Sequence, residues 1–203
     1  MMDIIIETVK KLETMMKDSG CEDGGIVLDV NPDTINCQFE SGACMTASFG
    51  GRSADFITRN PIRAKTKISF MFGAPLDALP VRGAAAAIVN VVAGFFCLSR
   101  TLHSCPGSSH RDCQRQLLDE LGGKNIFCYG NIPEFETAFR SSIVPTPHDA
   151  DIILINGEGI IEQGAGTILM EYKETKQVLC LGPSTAGIAR LNQLEHWCPF
   201  GTC

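Results

Sequence analysis

Two cysteine pairs carry the most specific chemistry in these 203 residues. Cys105 and Cys113 flank His110 in SCPGSSHRDC, and Cys198 and Cys203 follow His196 in WCPFGTC. Thiolates with imidazole suit zinc or an iron-sulfur cluster, and Cys-Pro recurs at cluster ligands because Pro removes a competing donor and fixes the turn. Cys105, His110, Cys113, Cys198 and Cys203 are therefore the candidate metal ligands. They can form one site only if the C-terminal tail folds back on the 105–113 loop. Neither spacing is a C-x2-C knuckle, so free thiols or a redox pair are the competing reading.

A second candidate lies in two glycine turns, Gly157-Glu158-Gly159 with Glu162, and Gly182-Pro183-Ser184. Each follows an apolar run, and in open α/β sheets ligands bind at the carboxyl ends of strands, where amides and helix N-termini converge. Glu158 and Glu162 with free carbonyls suit a hard cation. Arg52, Arg59 or Arg63 from the first half could meet an anionic group across a cleft between the halves. NAD is disfavoured: the third glycine of a dinucleotide fingerprint is Glu162, and no acid follows the next strand to hold a ribose. The run IIEQGAGT resembles the loop of S-adenosylmethionine methyltransferases, but only residues 168–203 remain after it, too few for their sheet. The plainer reading is that the glycines permit tight strand-to-helix turns. Hydrolase readings find little support, because Ser184 lacks a G-x-S-x-G elbow and Cys198 lies too close to His196 for a dyad.

The elements that must position these residues fall into two halves. Ile152–Ile155 and Val178–Leu181 read as strands buried on both faces of a parallel sheet, joined by a helix over 167–176, which makes a βαβ unit. Asn125–Gly130 reads as a further strand, and Pro133 opens a helix running to about Arg140. Upstream, Ile5, Val9, Leu12 and Met16 share one face of an amphipathic helix. Strands are expected at Gly25–Val30, Ile35–Phe39, Met45–Phe49 and Lys67–Phe72, with a basic loop over 50–65. A small-residue helix covers Leu76–Leu98, and another covers Gln114–Leu121. The apolar stretch Ala84–Leu98 is too short and too rich in Ala to span a membrane.

The net charge of -6, without acidic blocks, argues against nucleic acid. The N-terminus lacks the basic start and apolar core of a signal peptide, so the ten cysteines imply a reducing, cytoplasmic setting. Cys37, Cys128 and Cys180 are placed in strands, Cys97 on the small-residue helix, and Cys21 and Cys44 near strand starts, all as buried or near-buried thiols.

At this point the residues carry a resemblance. Asp151–Gly157, the turn Gly182-Pro183-Ser184, and the Gly/Ala helix of PLDALPVRGAAAAIVN with Gly83 and Asn90 resemble the heavy-metal chelation family of unknown function. Its members carry an enolase-N-terminal-like domain ahead of a Rossmann-like domain. The resemblance implies metal handling and adds Asn90 to the candidate ligand-binding residues. The expected protein is α/β: an α+β half over 1–121, then a small Rossmann-like parallel-sheet half over 122–203. Its expected function is binding of a metal ion or metal-containing small molecule in the interdomain cleft. The alternative is an enzyme using the strand-end loops for a nucleotide-like or anionic substrate. A homo-oligomer stays open, and no membrane partner is expected.

Overall fold

A computed structural model describes residues 2–34, 36–132 and 139–203. The protein is α/β, with two four-stranded sheets. The helix expected from Pro133 lies outside the described residues except at its end, where Phe139 and Arg140 form a bend and turn.

The first sheet is antiparallel. Strands β1 (Gly25–Asn31), β2 (Ala43–Phe49), β3 (Arg52–Thr58) and β4 (Ala64–Lys67) lie in the order β3-β2-β1-β4. Three expectations are corrected here. Residues 36–40 form a turn rather than a strand, because the chain leaves the sheet to bury Cys37 and Phe39 elsewhere. The segment 50–65 is not a loop. Gly50 and Gly51, both at positive φ, make a two-residue hairpin that returns as β3. The run expected as a strand over 67–72 is a 3-10 turn, Ile68–Met71.

Helix α1 (Ile4–Met16) is capped by Asp3, whose carboxylate accepts from the Ile5 and Ile6 amides. Helix α2 (Leu79–Phe95) packs on β2 and β3 with one side and on the second half with another. A helix buried on so many sides needs small residues, and Ala84–Ala87 supply them. Cys97 lies beyond its end, exposed and at positive φ, and not on the helix. Helix α3 (His110–Leu121) starts four residues earlier than expected, which places Cys113 on a helix instead of a loop.

The second sheet is parallel, with β5 (Ile126–Tyr129), β6 (Ile152–Ile155), β7 (Gln177–Leu181) and β8 (Glu195–Trp197) side by side in sequence order. Its apolar runs are buried on both faces, as parallel strands require. Ile153, Ile155 and Val178 join the large core shared with α1 and α2. Ile152, Leu154, Leu179 and Leu181 join a smaller core with Cys37, Phe39, Cys113 and Leu117. The β6–β7 crossover holds two helices, α4 (Gly157–Ile161) and α5 (Ala165–Tyr172), so the first glycine turn is itself helical. Past Gly182, a 3-10 turn leads into α6 (Ala186–Asn192) and then β8, all within what the sequence reading treated as a turn and tail.

The first and last helices meet. The Asn192 amide donates to the Thr8 hydroxyl at 2.6 Å, and Lys11 donates to Asn192 Oδ1 at 2.7 Å. Arg82, fully buried, clasps Asp3 at 2.6 Å and the Leu76 carbonyl, and donates to the Ile161 carbonyl on α4. Burial works to raise the Asp3 pKa, but the Arg82 contact and the two capping amides outweigh it and hold it low. No helix among the described residues is long and apolar enough to cross a membrane.

Candidate functional site

The carboxyl ends of β6 and β7 are where the two halves meet, and a residue from the first half fills the crevice between them. The turn over 36–40 delivers Glu40, pinned by the Asn156 side chain, which donates to the Phe39 carbonyl at 3.0 Å. Asn156 also caps α4, accepting from the Gly159 amide at 2.9 Å. Glu40 then lies against the glycines of both strand ends. A Cβ on Gly182 would come within 2.9 Å of its carboxyl carbon, and one on Gly157 within 2.8 Å of an oxygen. Gly182 also holds φ at 79°, a conformation that L side chains rarely adopt.

Neither Glu40 oxygen has a hydrogen-bond partner of acceptable geometry, although the residue is only 7% exposed. Burial raises its pKa to about 8; the nearby Ser184 hydroxyl and the Gly157 and Ser184 amides pull against this without overcoming it, and Asp55 adds to it. An orphaned buried carboxyl is costly, so its retention calls for an explanation.

Two thiols lie within electrostatic reach of this carboxyl. Burial raises the pKa of Cys37 and of Cys198, and both feel the charge of Glu40. Cys198 also feels Cys105 and Cys113, and Cys37 feels Cys198 and Cys105. The tail does fold back: the Leu102 and His103 amides donate to the Thr202 carbonyl at 2.8 and 3.0 Å, and the Thr202 amide donates to His103. Thus Cys105, Cys113 and Cys198 stand within electrostatic reach of one another, joined by Cys37. His110 begins α3 one turn before Cys113, with a buried Nε2 lacking a partner. Cys203 is exposed, its sulfur 3.8 Å from the Arg52 guanidinium. Among the described residues, no three His, Cys, Asp or Glu side chains converge closely enough to hold one ion as they stand.

The other expected site residues hold the halves together. Asn90 on α2 donates to the Pro183 and Ser184 carbonyls at 3.3 and 2.8 Å, and accepts from the Gly187 amide at 2.8 Å. A Cβ on Gly187 would stand 2.7 Å from Asn90 Oδ1, so this close crossing requires glycine. The Ser184 hydroxyl accepts from the Ile57 amide at 2.9 Å. Glu158 accepts from the Arg59 amide at 2.7 Å and pairs with its guanidinium at 3.3 Å. Glu162 faces the Tyr129 hydroxyl, whose pKa is pushed up to about 12, mainly by burial. Gly159 packs on the Tyr129 carbonyl, leaving no room for a side chain. Burial lowers the His196 pKa against the opposing contact with Gly182, whose carbonyl accepts from Nε2 at 2.9 Å.

Glu40 carries no motif, and an acid after a Phe in a polar loop reads as solvated. Cys37 was placed in a strand; its true setting, a turn buried against α3, follows only from the tertiary path.

Two solved structures share this fold. One is a protein of unknown function from the DUF364 family of Pyrococcus horikoshii, with a TM-score of 0.51 and 15% identity over 89% of this chain and 79% of that one. The other is a DUF364 protein of unknown function from Desulfitobacterium hafniense DCB-2, with a TM-score of 0.54 and 12% identity over 93% and 83%. At these identities the likeness is one of fold, and the two-part architecture fits it. No family model matches the sequence, and no curated protein matches it.

Proposed function

We propose that this protein binds a metal ion, or a small molecule carrying one, in the crevice between its halves at Glu40. The observation that carries the reading is the orphaned Glu40 carboxyl, buried within electrostatic reach of Cys37 and Cys198, which in turn feel Cys105. A cation arriving there replaces the proton of Glu40 and those of the thiols it recruits, turning a costly burial into a compensated one. Thiolate and carboxylate together suit zinc or another thiophilic divalent ion, and soft sulfur donors also suit an iron-sulfur cluster. Closing on the ion requires the thiols to rotate inward from their present positions.

The nucleotide-like or anionic substrate finds less support. Glu40 occupies the space beside Gly157 and Gly182 where a phosphate would lie, and Glu158 adds a second carboxylate at the same strand end.

The test is titration of the metal-stripped chain with zinc or cadmium, followed by calorimetry and thiolate charge-transfer absorbance. Stoichiometric binding that weakens in Glu40→Gln and in Cys198→Ser is expected. Silence in calorimetry and absorbance alike, or full affinity in both variants, overturns the reading.

A further inference from the structure

The face of the antiparallel sheet turned away from α2 is polar along its outer strand. Alternation along β3 sends Ala54 and Phe56 into the core and Ser53 and Asp55 to the opposite face. There Asp55 Oδ1 accepts from the Thr46 hydroxyl of β2 at 3.1 Å, while Oδ2 stands 3.0 Å from His103 Nδ1. His103 Nε2 in turn stands 3.3 Å from Ser53 Oγ. Carboxylate, imidazole and hydroxyl thus follow one another, with the two ring nitrogens divided between the two partners. The Asp55 side chain is 7% exposed and the His103 side chain 28%, so the carboxylate lies inside and the histidine nearer the solvent. The backbone fixes the arrangement: the Asp55 amide donates to the Leu102 carbonyl at 2.8 Å, and His103 is bridged on both sides to Thr202.

We propose that Ser53, His103 and Asp55 form an acyl-transfer site acting on small esters. Ser53 Oγ attacks the ester carbonyl carbon as His103 Nε2 takes its proton. The carbon–oxygen bond to the alcohol breaks, and the alcohol leaves with that proton. Water then gives a proton to His103 and attacks the acyl carbon, and Ser53 Oγ departs with the proton as the carboxylic acid is released. Asp55 is a positioning residue, holding the ring tautomer that leaves Nε2 facing Ser53. The hydrogen bond from His103 to Asp55 also raises the histidine pKa, in keeping with a ring whose cation is stabilised during the reaction. The Ser53 amide points from β3 toward the same edge as that of Asp55, two residues on, and is the candidate donor to the developing oxyanion. The site goes beyond the metal reading and uses neither Glu40 nor the thiols.

The test uses the full chain, a fluorophosphonate probe and p-nitrophenyl acetate. Expected are a phosphonyl adduct mapped to Ser53 by mass spectrometry, no adduct there in Ser53→Ala, and a loss of about 10²- to 10⁴-fold in labelling and ester turnover in His103→Gln. Ser53→Ala keeps the Asp55–His103 pair, and its melting curve checks that it folds. Should His103→Gln fail to fold, carbethoxylation of His103 in the unmutated chain supplies the same comparison. Absence of an adduct on Ser53 in the folded chain, or labelling unchanged when His103 is lost or blocked, overturns the proposal.

Discussion

Two buried polar groups reach from the first half to the same Gly-Pro-Ser turn, and they stand in opposite conditions. Asn90 spends its amide on two carbonyls and one N–H group, each at 3.3 Å or less. Glu40, packed against Gly182 of that turn, has no hydrogen-bond partner for either oxygen. Satisfied, a buried polar group acts as a joint; unsatisfied, it is a cost that only a ligand or a proton relieves. One interface thus holds a satisfied joint and an unsatisfied carboxyl side by side.

The largest expected loss of stability comes from filling the Glu40 crevice. Gly182→Ala meets both a left-handed backbone and the Glu40 carboxyl, and is expected to lower stability by roughly 2–5 kcal/mol in denaturant melts. Adding Glu40→Ala should return the steric part but not the backbone part. If the double variant gains nothing back, the carboxyl does not press on the turn.

Asn90→Ala is next, at roughly 2–4 kcal/mol, because it leaves the Gly187 amide and two carbonyls unpaired. Its cost should be flat with pH. A cost below about 1 kcal/mol would mean that the joint is not one.

Glu40→Gln should behave in the opposite sense. The folded chain keeps the Glu40 proton to about pH 8, whereas the unfolded chain releases it near 4.5. Across that window the folded state holds the extra proton, so stability falls as pH rises through it. Glu40→Gln removes this loss, and its melting temperature should exceed that of the unmutated chain by a margin that grows from pH 4.5 to 8, on the order of 5 kcal/mol at the upper end. A margin independent of pH would show that the carboxyl ionises normally.

The smallest effect belongs to Glu158→Gln. Its partner Arg59 is half exposed, and the backbone amide still finds an oxygen, so a change within about 1 kcal/mol is expected by chemical denaturation. A larger loss would make this contact, too, a joint of the Asn90 kind.

The parallel sheet was legible because β6 and β7 are continuous apolar runs that few other structures tolerate. The return of the tail was legible as a condition on the cysteine pairs, and Thr202 meets it. Strand β3 was not legible: Arg52, Ser53 and Asp55 outweigh its apolar alternation, since one of its faces is used for polar contacts. The same cause hid the Asp55–His103–Ser53 constellation, whose members lie two residues apart on a strand and then 48 positions away in a bridging segment. The two glycine turns stand out in the sequence, but the carboxyl packed against them does not, because desolvation of Glu40 is produced by the packing of three distant segments and leaves no local trace.

The contact between Thr8 and Asn192 has a consequence for how the chain acquires its shape. The first helix emerges from the ribosome long before α6, the surface that receives its amide-bonded face. Until α6 is in place, the apolar stripe of Ile5, Val9, Leu12 and Met16 has only part of its burial surface. The pairing of Thr8 with Asn192 spans 184 positions of the sequence, so the loop-closure entropy opposing it is large and the packing around it must offset that cost.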